Sequence, residues 1–230
     1  MTATHRHRRK DAGPPIELPI EIPPAGLEGT IMVPAVAKGI VLFAHGSGSS
    51  RLSPRNRAVA SALYASGCGA LLFDLLTDAE AADRRNVFDI PLLAGRLLMA
   101  TRWIAGLEDL RDLPVGYFGA STGAAAALVA AAEVGAGVAA VVSRGGRPDL
   151  AGDALARVTS PTLLIVGGDD PEVLTLNREA LAVLRCEKAI EIVPGASHLF
   201  EEPGTLDTVV RLAQQWFGHH FAARTPTGSR

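Results

Sequence analysis

The 230-residue sequence predicts an α/β fold in which helices cover both faces of a mostly parallel, eight-stranded sheet. Residues 16–22 alternate apolar and polar side chains around Pro19, as an edge strand does, and a strand near 27–33 is expected to pair with it antiparallel. Six continuous apolar runs then alternate with helical stretches, which is typical of parallel strands buried on both faces. The runs cover 40–44, 70–73, 115–118, 138–142, 162–166 and 189–193, and the helices lie near 54–66, 91–106, 122–134, 173–184 and 204–220.

Composition and charge exclude several classes of protein. The chain is 48% apolar with a formal net charge of −2, which argues against wholesale disorder and against a dedicated nucleic-acid binder. No apolar run approaches the ~20 residues that a membrane span needs. Cys68 and Cys186 lack metal-ligand spacing and indicate reduced thiols. We therefore expect one cytoplasmic domain over 16–221, between a disordered basic segment at 1–15 and a flexible tail at 222–230.

A candidate nucleophile follows the run at 115–118. Residues 119–123 read G-x-S-x-G and stand directly before the helix near 122–134. In parallel sheets ligands bind at the carboxyl ends of the strands, and this motif raises a serine hydroxyl above that edge on a strained turn that its glycines permit. The N–H group of Thr122, the next residue, would then face the developing oxyanion. The alternative for Ser121 is an ordinary helix N-cap.

A serine nucleophile needs a base and an acid that orients the base. Of the six histidines, His198 lies in the loop after the last apolar run, at the predicted carboxyl edge of the sheet. Asp169 and Asp170 follow the run at 162–166, and either carboxylate could reach that edge. The Gly/Ser-rich turn at 46–50 lacks both G-x-x-x-x-G-K-[ST] and G-x-G-x-x-G, so it does not predict a phosphate-binding loop.

Across residues 16–221 these motifs resemble the α/β-hydrolase superfamily, and most closely its dienelactone hydrolase-like branch. The resemblance rests on HGSG at 45–48, GASTG at 119–123, DPEV at 170–173 and GASHLF at 195–200. It implies an α/β-hydrolase fold, Asp170 rather than Asp169 as the acid, and an oxyanion hole formed by the N–H groups of Ser47 and Thr122. No metal and no cofactor is implied. Domains resembling this one also occur fused to phosphoribosyltransferases.

The expected function is a serine esterase that cleaves small acyl esters through Ser121, His198 and Asp170. Dienelactone hydrolases proper carry cysteine where this chain has serine, which favours ordinary esters. Residues 143–160 are too few for a helical cap domain, so we expect an open site. A lactone hydrolase acting on anionic cyclic esters and a non-catalytic ligand-binding module remain the alternatives.

Arginines that follow strand ends are candidate substrate-binding residues. Arg51 and Arg147 could hold a substrate carboxylate or phosphate with a forked pair of donors, and the alternative is pairing with acids of the chain. Arg144 is a better candidate for a structural role. The expected partner is a small-molecule ester, with no nucleic acid and no membrane, and the sequence does not distinguish a monomer from a homodimer.

Overall fold

Eight strands form one sheet in residues 15–224, the part of the chain that the computed structural model describes. They are β1 (Leu18–Ile22), β2 (Leu27–Met32), β3 (Ile40–Ala44), β4 (Gly69–Phe73), β5 (Val115–Ala120), β6 (Val138–Arg144), β7 (Thr162–Gly167) and β8 (Lys188–Val193). Their order across the sheet is β1-β2-β4-β3-β5-β6-β7-β8. Strand β2 runs antiparallel to both of its neighbours, and all other pairs are parallel. The predicted α/β-hydrolase fold is confirmed.

Helices cover both faces of the sheet because strand side chains point alternately to its two sides. The helices are α1 (Pro54–Ala65), α2 (Asp78–Ala81), α3 (Arg84–Val87), α4 (Ile90–Ala105), α5 (Thr122–Val134), α6 (Pro171–Val183) and α7 (Thr205–Ala222). In β3, Leu42 packs into the core beneath α4 and α5, whereas Phe43 packs into the second core beneath α1 and α7. Each central strand therefore contributes to two hydrophobic cores, which explains why most of its residues are apolar.

The structure corrects the prediction at the last strand. The sequence predicted that 189–193 is buried on both faces, but β8 forms the free edge of the sheet and Ile192 is 41% exposed. An edge strand has one neighbour only, so its apolar run does not imply full burial. Two short helices, α2 and α3, were not predicted. They follow β4, where polar capping residues interrupt the apolar pattern.

The connection between β6 and β7 leaves the carboxyl edge of the sheet uncovered. It holds a 3₁₀ segment at 148–157, as its predicted length allows, and no cap domain is inserted within residues 15–224.

Cys68 and Cys186 are free thiols. No helix between residues 15 and 224 has the length and apolarity required to cross a bilayer. The predicted basic segment (1–15) and tail (222–230) lie outside the described residues, apart from residue 15 and residues 222–224.

Candidate functional site

The turn between β5 and α5 holds Ser121 in a strained backbone conformation. Its φ of 51° and ψ of −124° lie in a region that serine rarely adopts. The neighbouring glycines are required by space, since a Cβ at Gly119 would lie 2.4 Å from the Ala124 Cα and one at Gly123 would lie 2.1 Å from the Ala44 carbonyl oxygen. Ser121 occupies the N-cap position, yet its side chain makes no capping hydrogen bond to the described chain. The hydroxyl is therefore available for another role.

An aspartate and a histidine from two loops meet at the same edge. The imidazole of His198 donates from Nδ1 to Asp170 Oδ2 over 2.7 Å, and the Asp170 side chain is largely buried. Asp169 instead uses its backbone N–H, which donates to the Ala196 carbonyl over 3.0 Å. A buried carboxylate on Nδ1 fixes the tautomer that leaves Nε2 as the basic nitrogen.

Contacts that the sequence did not predict fix the conformation of the loop that carries His198. Glu202 accepts a hydrogen bond from the Ser197 N–H over 3.0 Å. Hydrogen bonding with the side chain and then the backbone of Ser197 lowers the pKa of the Glu202 carboxyl. Phe200 adopts a left-handed φ of 56° so that its ring is buried against the core. These contacts fix the backbone on both sides of the imidazole.

Ser121 and His198 line one cavity of about 590 Å³. Within residues 15–224 no hydrogen bond joins the Ser121 hydroxyl to the imidazole. Such bonds are often long in free enzymes and tighten when substrate binds. The arrangement can therefore support nucleophilic attack once a ligand fills the cavity.

The proposed oxyanion donors lie beside each other at the N-terminus of α5. The Ser47 N–H donates to Thr122 Oγ1 over 3.0 Å, so the Thr122 hydroxyl fixes the position of the Ser47 N–H. The N–H of Thr122 belongs to the first turn of α5, where no intrahelical acceptor exists and the helix dipole favours negative charge. An oxyanion at this point would compete with the Thr122 hydroxyl for the Ser47 donor.

His45 fixes the turn at 46–50 to the end of β4. Its Nε2 accepts the Leu75 N–H over 3.1 Å, and its Nδ1 lies 3.0 Å from the Gly46 carbonyl oxygen. Burial lowers the pKa of His45, although the contact with the Gly46 carbonyl and the nearby Asp74 both raise it. A neutral imidazole that spans two backbone groups has a positioning role. Its place directly after a strand was the available signal in the sequence.

Both predicted substrate-binding arginines are paired with acids of the chain. Arg51 contacts Asp74 and Glu28 through its guanidinium, and its N–H donates to Asp74 Oδ1 over 2.7 Å. Arg147 forms a forked pair with Asp149 at 2.9 and 2.8 Å. A substrate anion would have to displace these carboxylates, so substrate binding by either arginine stays a prediction.

Arg144, at the end of β6, has a different environment. It is 7% exposed and lines the cavity with Ser121 and His198. Its guanidinium donates to Asn56 Oδ1 over 3.4 Å and lies 5.8 Å from the centre of the Phe200 ring. Burial, with repulsion from Arg55, lowers the pKa of Arg144 to about 10, so it remains a cation at neutral pH.

The described residues offer one group with metal-ligand geometry. Ligand atoms of Glu187, His219 and His220 lie within 4.8 Å of one another. Glu187 directly precedes β8, at the amino end of that strand, so this group lies at the edge of the sheet opposite the serine.

Solved structures identify relatives of the chain. No protein-family model matches it. A dienelactone hydrolase from Anabaena variabilis is 54% identical, with a TM-score of 0.87 over 90% of this chain and 98% of that one. The chain belongs to the dienelactone hydrolase family. This confirms the resemblance found in the sequence.

Other proteins similar to this chain are either longer than it or much less identical to it in sequence. Est1E from Butyrivibrio proteoclasticus shares the fold at 14% identity, with a TM-score of 0.75 over 89% of this chain and 99% of its own. Two proteins of Mycobacterium tuberculosis strains, both named phosphoribosyl transferases, are 56% identical over 220 residues and 94% of this chain. The chain spans about half the length of these two curated relatives.

Proposed function

We propose that this member of the dienelactone hydrolase family is a serine hydrolase of the carboxylesterase type, acting on small acyl esters in the cytoplasm. The observation that supports it is the hydrogen bond from His198 to Asp170, since His198 lines the same cavity as the strained Ser121. A strained backbone at a serine in a turn between a strand and a helix is typical of a catalytic nucleophile.

The proposed reaction begins with attack of Ser121 Oγ on the ester carbonyl carbon while His198 Nε2 takes the hydroxyl proton. Asp170 stabilises the imidazolium through Nδ1–H. The N–H groups of Ser47 and Thr122 stabilise the tetrahedral oxyanion. The alcohol leaves with the proton from His198, and water, activated by the same imidazole, then releases the acyl group from the serine.

The absence of a cap over residues 15–224 supports a preference for small or readily accessible esters. With no cap domain among these residues, we expect positioning and the oxyanion donors, rather than a closing lid, to supply most of the catalysis. Opening of a lactone is the second candidate, and the 54% identity to a dienelactone hydrolase favours it. We also propose that this chain corresponds to the hydrolase portion of the longer phosphoribosyl transferase relatives.

A fluorophosphonate probe tests the proposal directly. We expect the wild-type chain to be labelled at Ser121, and Ser121→Ala to lose both labelling and hydrolysis of 4-nitrophenyl acetate. Ser49→Ala is the matched control, because Ser49 is an exposed serine that lines the same cavity. Labelling at another residue, or full turnover by Ser121→Ala, would refute the proposal. Saturable binding of esters without turnover would instead identify a ligand-binding module.

A further inference from the structure

Three side chains that can bind a metal meet at the edge of the sheet opposite Ser121. Glu187 directly precedes β8, and His219 and His220 belong to the last turn of α7. One ligand atom of each residue lies within 4.8 Å of the ligand atoms of the other two. Two imidazoles and one carboxylate form a donor set that binds Zn²⁺ in several enzymes, with water in the remaining position.

His220 is the buried member of this group. The residue is 6% exposed, and its Nε2 has no hydrogen-bond partner among the described residues. Burial lowers the pKa of His220, although Glu187 raises it, so the imidazole is neutral at pH 7. A neutral imidazole is the form that binds metal ions. Buried polar atoms without a partner are rare in proteins, and a bound ion is one of the few physical reasons for such an atom.

The distance between His220 and Glu187 suits a shared ion better than a hydrogen bond. His220 Nε2 lies 3.7 Å from Glu187 Oε1, which is too long for a hydrogen bond. Two ligands that bind one Zn²⁺ at about 2.1 Å in tetrahedral geometry lie about 3.4 Å apart. The two atoms would have to approach each other by only about 0.3 Å to reach this spacing. The third ligand, His219, is exposed, so its ring is free to turn towards the ion.

The surroundings of the three side chains also favour a cation. The last turn of a helix carries partial negative charge, and both histidines lie in that turn of α7. The indole of Trp216 packs edge to face against the His220 ring, with 4.6 Å between the ring centres, and this contact holds the ring in place. Two basic neighbours, Lys188 and Arg224, direct their charged groups at backbone carbonyl oxygens. Their charges are therefore partly compensated by those carbonyls.

We propose that Glu187, His219 and His220 bind Zn²⁺, with water completing the coordination. The ion joins the amino end of the edge strand β8 to the C-terminal turn of α7, and its role is to stabilise that edge of the domain. Because the site lies at the edge opposite Ser121, it is independent of the proposed esterase activity. Failure of either proposal leaves the other standing.

Calorimetric titration of the full chain with Zn²⁺ tests the site, and Mg²⁺ is the comparison ion because it prefers oxygen ligands. We expect one Zn²⁺ per chain and no measurable binding of Mg²⁺. Glu187→Gln and His219→Gln should each weaken Zn²⁺ binding at least about 10-fold, and both replace exposed side chains, so the fold should be kept. Glu191→Gln is the matched control, because Glu191 is an exposed glutamate of β8 outside the group, and it should bind Zn²⁺ as the wild type does.

Other imidazoles and thiols of the chain are tested as competing ligands. His5 and His7 lie outside the described residues, and Cys186 is the neighbour of Glu187 but is not one of the three grouped ligands. The double variant His5→Gln/His7→Gln and the variant Cys186→Ser should both keep Zn²⁺ affinity.

Thermal melting measures the stabilising role. Zn²⁺ at ten times its measured Kd should raise the melting temperature of the wild type by about 3–6 °C and leave that of Glu187→Gln unchanged. The inference would be overturned if the wild type did not bind Zn²⁺ or if Glu187→Gln and His219→Gln bound it equally well. Loss of binding in the His5/His7 or Cys186 variants would also overturn it, because the ion would then be held elsewhere.

Discussion

Gly123→Ala should displace the turn that carries the oxyanion donors. The added Cβ would lie 2.1 Å from the Ala44 carbonyl oxygen and 2.5 Å from that of His45, whereas real Cβ contacts are essentially never shorter than 3.0 Å. Both obstacles are backbone atoms, so no side-chain rotation relieves the contact. Either α5 or the start of the 46–50 turn must move by about 1 Å.

The expected effects can be worked from this displacement. Alanine is favoured over glycine in a helix by up to about 1 kcal/mol, but overpacking of this kind costs about 3 kcal/mol. We therefore expect the free energy of unfolding to fall by about 2 kcal/mol. A shift of about 1 Å at the Ser47 and Thr122 donors should lower kcat about 100-fold.

Urea denaturation and 4-nitrophenyl acetate kinetics measure the two effects. Gly95→Ala is the matched control, because Gly95 is an exposed residue of α4 and a Cβ there meets nothing within 4 Å. That substitution should raise the free energy of unfolding by up to about 1 kcal/mol and leave kcat unchanged. If Gly123→Ala were as stable and as active as Gly95→Ala, the steric account of this turn would be refuted.

Three further substitutions test single contacts. Asp170→Asn should lower kcat/KM for 4-nitrophenyl acetate about 10³- to 10⁴-fold, because the amide no longer stabilises the His198 imidazolium, and a loss below tenfold would contradict this role. His45 is buried with its pKa below the ordinary 6.5, so the unfolded chain binds more protons and stability falls as pH drops through about 6.5; His45→Gln should shrink that loss in urea denaturation at pH 5 and 8, and equal losses would argue against it. Thr122→Val should lower the free energy of unfolding by about 1 kcal/mol by removing the acceptor of the Ser47 N–H, whereas Thr122→Ser should keep it, and equal stability of the two variants would be inconsistent with this contact.

The sequence predicted the elements whose periodicity is set by burial. Strand β3 and helix α5 begin and end where their apolar patterns do, and the other four predicted helices lie within about two residues of their observed bounds. The edge position of β8 could not be predicted, because an apolar run indicates a strand but not how many strands lie beside it. Helices α2 and α3 depend on capping by Thr77 and Asp83, which a search for apolar periodicity passes over.

In the candidate site, too, some features could be predicted from the sequence and others could not. Ser121 lies in a motif with a local steric cause, so the sequence alone could point to it. The charge state of an arginine's surroundings depends on acids that are distant in the chain. Arg51 is paired with Asp74 and Arg55 with Glu201, whereas Arg144 faces the amide of Asn56. No spacing rule contains these partners, so the sequence could not show which arginine is paired with an acid.

The serine and the imidazole follow strands that differ in their position in the sheet. Ser121 is anchored between β5 and α5 at the centre of both cores, whereas His198 follows the exposed edge strand β8. Edges open locally at a lower free energy than the whole domain needs to unfold. Hydrolysis should therefore cease a few degrees below the melting temperature, and amide hydrogen exchange near β8 should accelerate over that same interval while β5 remains protected.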